Sequence, residues 1–195
     1  MPIKANEGER YTVRRKVLKL FGAAFHVYDE HGSVVGYCKQ KAFKFKEDIR
    51  LYTDESMSEE LLTLRARSVI DFSVTFDITL PDGRKLGSLR RAGLKSTFLR
   101  DEWKIMDPAD NQLGTIKEKN ALIAILRRGD LSLLFPQRFE IFKNGQQEPV
   151  ASIRQHFNWL IYRLGLTVHR DDPQLDELLL LGATCLMAAI EGRQS

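Results

Sequence analysis

Cysteine is scarce: Cys38 and Cys185 are the only two in 195 residues, and they stand far apart, outside any CxxC pair. That argues against a disulfide framework and favours a reducing compartment. Four scattered histidines, His26, His31, His156 and His169, show neither HxxxH nor HExxH spacing. A sequence-local zinc site is therefore not expected, and no cofactor is implied. No G-x-S-x-G elbow, Walker A loop or GxGxxG fingerprint is present, so the common signatures of nucleophilic hydrolases and nucleotide-binding enzymes are missing. Met1 to Glu7 contains no apolar run of the kind a signal peptide needs. The longest apolar stretch, Leu178 to Ile190, would form a helix of about 20 Å, short of the ~30 Å core of a bilayer. A transmembrane segment is not expected; the stretch reads as a buried helix. The expected location is cytoplasmic, with peripheral contact at a membrane.

What is present begins with size and charge. A chain of 195 residues suits one domain and can bury a core without disulfides or metals. The net charge is +4 and the pI about 9.1, compatible with an anionic partner such as a membrane surface or nucleic acid.

The most informative feature is an internal repeat. Phe25 to Gly36 (FHVYDEHGSVVG), Phe76 to Gly87 (FDITLPDGRKLG) and Trp103 to Gly114 (WKIMDPADNQLG) align without gaps. Each opens on an aromatic residue, followed two positions later by a β-branched one: Val27, Ile78 and Ile105. A turn cluster comes next, holding Gly32, Gly83 or Asp110, then an aliphatic residue (Val35, Leu86, Leu113) and a closing glycine. A looser fourth copy runs from Phe139 to Ala151. Residues at i and i+2 share one face of a strand, so each unit reads as strand, tight turn, strand. The closing glycine marks a bulge or the close approach of another backbone. Four hairpins from one template predict a mainly antiparallel, all-β architecture.

Further strands are expected in Tyr11–Phe21, Ala42–Lys46, Ile49–Thr53, Leu61–Arg67 and Leu160–Val168, with an acidic loop or single helical turn at Asp54–Glu60. Asn120–Arg128 is open between buried strand and short helix. Asp172-Pro173 predicts an N-cap and first helical residue, so a helix is expected over about 173–191. It is apolar on every side and must be buried on every side. The domain reading is a flexible N-terminus (1–10) and one closed β-barrel (11–192) around that helix.

These hairpins, with their D-x-x-G-like turns and apolar terminal helix, resemble the tubby-like superfamily, most closely its phospholipid scramblase and LURP-one-related branch. Leu61 to Arg67 followed by Phe76 to Gly87 is similar to that branch's strand and hairpin rhythm, and Leu175 to Glu191 to its terminal helix. The resemblance covers roughly Val17 to Glu191. It implies a closed barrel of twelve strands threaded by the helix, and a non-enzymatic role near membranes. The proline-rich arm and palmitoylated cysteine cluster of scramblases are absent from this sequence.

Two basic segments are the candidate anion-binding residues. Lys39, Lys41, Lys44 and Lys46 lie in KQKAFKFK, where Lys44 and Lys46 would share one strand face with Phe43 and Phe45 on the other. The competing explanation is an edge strand kept from aggregating by its lysines. Arg90, Arg91, Lys95 and Arg100 surround Gly93 and could fork onto phosphate, or pair with Asp101 and Glu102. Asp171, Asp172, Asp176 and Glu177 fall where scramblases carry a proposed calcium segment, yet lack an EF-hand's glycine and terminal glutamate. His26 should point out of its strand as an ordinary polar residue, and Cys185 should be buried in the helix. The preferred expectation is a non-enzymatic binding or scaffold protein for anionic phospholipid, phosphoinositide or a protein partner. The alternatives are an enzyme with its site at a barrel mouth, or a nucleic-acid-binding protein marked by an exposed aromatic row.

Overall fold

Each repeated hairpin turns on a residue that tolerates positive φ. Gly32, Gly83 and Gly145 have φ of 83°, 84° and 77°, and Asp110 takes 65° where the third repeat has no glycine. Around these turns, a computed structural model describes residues 8–16, 23–40, 48–70, 73–91, 102–119, 136–156 and 161–191.

The strands are β1 (Tyr11–Lys16), β2 (Ala23–Asp29), β3 (Val34–Gln40), β4 (Ile49–Tyr52), β5 (Glu60–Ile70), β6 (Ser73–Thr79), β7 (Lys85–Arg91), β8 (Glu102–Met106), β9 (Gln112–Glu118), β10 (Arg138–Lys143), β11 (Ala151–His156) and β12 (Arg163–Val168). Every neighbouring pair is antiparallel, and β1 pairs with β12 to close the barrel. The four repeats are the hairpins β2–β3, β6–β7, β8–β9 and β10–β11. In the first three the register slips at one place, leaving Val35, Leu86 or Leu113 unpaired just before the closing glycine. The aliphatic residue of the template is thus a bulge residue. Its glycine permits close approach: a methyl at Gly87 would collide with the Met106 carbonyl, and one at Gly114 with the Phe142 carbonyl. Ala42–Lys46 and Asn120–Arg128 lie outside the described residues.

Helix α1 (Glu177–Glu191) enters the barrel after β12. Leu179 to Ala189 are buried within the same apolar cluster as the inward residues of the strands, among them Phe25, Leu64, Ile78, Trp103, Ile116 and Phe139. Burial on all sides answers a helix apolar on all sides. Its start differs from expectation. Asp172 Oδ1 accepts the Gln174 N–H in a separate turn containing Pro173, and its Oδ2 pairs with Lys143 Nζ at 2.6 Å. Asp176 is the cap, accepting the Leu178 N–H at 2.8 Å. Just before β1, Glu9 is buried and bonded to Thr12 and His156, and the Arg10 N–H donates to the Leu166 carbonyl at 2.8 Å.

Candidate functional site

Antiparallel connectivity divides the strand ends into two rims. At the turn rim lie the four hairpin turns, the β4–β5 loop and the entry to the helix. Their connections carry Glu30, Asp54, Glu55, Glu59, Asp82, Asp107, Asp110, Glu148, Asp171, Asp172 and Asp176 against Arg84 and Arg170. At the opposite rim, the two terminal residues of each strand include Arg15, Lys16, Lys39, Arg50, Arg90, Arg91, Lys117, Arg138 and Arg163, against Glu102 and Glu118. Among the described residues, the turn connections are thus net acidic and the strand ends of the opposite rim net basic.

The sequence-predicted cations divide accordingly. Lys39 is exposed at the end of β3. Arg90 is exposed at the end of β7, with Nε donating to Thr75 Oγ1 at 3.3 Å. Arg91 is half-buried, its guanidinium 5.8 Å from the ring centroid of the buried Trp103. Lys39 and Arg90 share a rim, but three strands separate β3 from β7, so they do not form one pocket. Lys41, Lys44, Lys46 and Lys95 lie outside the described residues.

The acidic segment before α1 is committed elsewhere. Lys143 holds the Asp172 carboxyl below its ordinary range, Asp176 caps the helix, and Arg10 lies 4.0 Å from Asp171 and 3.8 Å from Glu177. Among the described residues, no group of three or more His, Cys, Asp or Glu is placed to hold a metal ion. A pocket of about 340 Å³ opens here, lined by Val168, Pro173, Leu175, Leu180 and these carboxylates. Tyr11 beside it is pushed up to about 12, first by burial and then by its hydrogen bond to Glu177. Burial likewise pushes the Cys38 thiol up to about 12 and raises that of Cys185, which leaves both as core residues rather than nucleophiles.

Two buried histidine contacts on the outer wall went unread in the sequence. His26 faces outward as expected, yet it is only 3% exposed. Its Nε2 lies 2.5 Å from Glu55 Oε1, and its ring packs 5.1 Å from that of Tyr37. The β4–β5 loop thus covers the wall and flanks a pocket of about 460 Å³ that also includes Tyr28, Val34, Asp54 and Ser56. His156 makes the matching contact to Glu9, also 2.5 Å. Partners 29 and 147 residues apart leave no local pattern to find. Among the described residues the exposed large apolar side chains are Val34 and Met57; Phe43 and Phe45, beside Lys44 and Lys46, lie outside them.

No helix among the described residues is long and apolar enough to cross a membrane. The family model described as LURP-one-related matches residues 34–188. No curated protein matches the chain. An X-ray structure of a protein from Arabidopsis thaliana is similar at 11% identity, with a TM-score of 0.46, over 95% of this chain and 98% of that one.

Proposed function

The chain belongs to the LURP-one-related family, and from that premise we propose a non-enzymatic binding barrel that docks end-on against an anionic phospholipid surface through its cationic rim. The observation that carries this reading is the separation of charge between the rims, with Lys39, Arg90 and Arg91 together at the basic one. Each cation near an anionic bilayer contributes about 1 kcal/mol. Several at one rim therefore suffice for reversible attachment without an anchor, while the acidic turns are repelled and face away. The wider kinship with tubby-like proteins and scramblases belongs to this reading too, with phosphoinositides as the natural subset of ligands.

Vesicle flotation tests it. The protein should float with anionic vesicles and not with neutral ones, and lose binding at high salt, where exposed charges are screened within a few Å. The pair Lys39→Glu/Arg90→Glu should weaken binding by more than about tenfold, as should Lys44→Glu/Lys46→Glu. Equal flotation with neutral vesicles, or none with either, would overturn the proposal.

A further inference from the structure

A carboxylate supplied by the chain itself occupies an anion site on the outer wall. Glu9 precedes the first strand, yet it is buried, folded back over β12. Gly165 makes the room, since the Glu9 carboxylate stands where a methyl on that residue would have to sit. Glu9 Oε2 accepts from Thr12 Oγ1 at 3.2 Å, and Oε1 lies 2.5 Å from His156 Nε2. A hydroxyl, an imidazole and a bare stretch of strand thus form a cradle for an oxyanion.

The cradle adjoins two guanidiniums that make no ion pair among the described residues. Thr12 opposes Gly165 in the β1–β12 ladder, and two residues along the same pair of strands Arg14 opposes Arg163. Arg163 in turn opposes His156 on β11. Like charges directly opposite one another destabilise a sheet. Both arginines are half-buried, and among the described residues neither pairs with a carboxylate. Arg163 Nε is buried without any acceptor, a loss that a folded protein ordinarily avoids. The wall gathers more positive charge and more donors than Glu9 satisfies.

We propose that this place is a binding site for a phosphate monoester, with Glu9 as the internal occupant that holds it closed. A phosphate dianion carries one charge more than a carboxylate and three acceptor oxygens. Thr12 and His156 would take the oxygens that replace those of Glu9, and the forks of Arg14 and Arg163 match the remainder. Entry of the ligand expels Glu9, so affinity is set by competition between the two anions. The site runs along the outer wall from Glu9 to Arg163 at the start of β12, apart from Lys39 and Arg90, and it stands whether or not the barrel docks to membranes. Its ligand chemistry is shared by a phosphomonoester lipid headgroup and by free phosphate.

The test is calorimetric titration of the full chain with inorganic phosphate against chloride at matched ionic strength. Glu9→Gln keeps the shape and removes the competing charge, so it should bind phosphate at least about tenfold tighter than wild type. Adding Arg163→Gln should abolish that gain, while Lys39→Glu/Arg90→Glu should leave it intact. No gain in Glu9→Gln, or a gain that survives Arg163→Gln, would overturn the proposal. Should Glu9→Gln fail to fold, wild-type melting carries the test: phosphate should raise Tm above that in chloride, and Arg163→Gln should remove the rise. An equal Tm in both salts overturns it as well. On vesicles of matched charge, preference of Glu9→Gln for phosphatidic acid over phosphatidylserine assigns the site to a lipid headgroup; phosphate binding without that preference assigns it to a soluble ligand.

Discussion

The turn rim and the basic rim both carry charge in excess, but the charge is used differently. At the turn rim the carboxylates are employed where they stand. Asp29, Asp54, Asp82 and Asp107 accept backbone N–H groups within their own turns, and Asp110 joins Asp77, Arg67 and Lys85 in one ion network. At the basic rim, Arg50 pairs with Asp48 and Glu60, whereas Lys39, Lys117 and Arg138 form no ion pair among the described residues. Pairing, more than charge count, separates the turn carboxylates from these three cations.

The sharpest way to break this contrast is to remove what both rims share. Leu179→Asp or Ala183→Glu would place an unpaired charge in the core that α1 fills. That cost exceeds a domain's whole stability of about 5–15 kcal/mol. Neither variant should show a cooperative melt by circular dichroism; a soluble variant that melts cooperatively would remove the central-helix account. Next in size is Gly87→Ala or Gly114→Ala, where a methyl meets backbone, expected to cost about 3 kcal/mol in urea unfolding. Gly36→Ala should cost less, because its methyl meets Val27 and Leu51 side chains at 3.1–3.3 Å. Reversing charge should then distinguish the rims: Asp82→Lys or Glu148→Lys should leave anionic-vesicle binding unchanged, where Lys39→Glu/Arg90→Glu reduces it.

The smallest effect concerns acid. Arg67, and after it Lys85, hold the Asp110 carboxyl well below its ordinary range. A carboxyl with a depressed folded pKa contributes stability above the unfolded value, about 3.9, and loses it as pH falls toward the folded one. Asp110→Asn tolerates the positive φ and removes that titration. Its urea midpoint should therefore fall less steeply than that of wild type below about pH 4. Asp77 and Asp172, whose carboxyls are also lowered, should preserve some slope.

Much of the fold was legible because its rules are local. Aromatic and β-branched residues two apart fixed the inward faces, the turn residues fixed the hairpins, and the bulge lay in the aliphatic residue before each glycine. The helix was legible from its all-round apolarity, but not its first turn. Asp172-Pro173 has the chemistry of a cap, and only the fold shows that Lys143 claims Asp172 and leaves capping to Asp176. The candidate site was partly legible. Basic residues could be named, but the sharing of one rim by Lys39 and Arg90 depends on strand direction around the whole barrel. The Glu9–His156 contact depends on closure of β1 against β12, a fact with no trace in either segment alone.

That closure also sets an order of events during synthesis. One edge of β1 emerges early and waits for β12, while the apolar lining of the described strands, β1 included, waits for α1. Until those residues leave the ribosome, the nascent barrel is an open sheet with a pairing edge and an unfilled apolar lining. Barrel closure therefore waits for the synthesis of both β12 and α1. A pause between β1 and α1 prolongs the life of that open sheet.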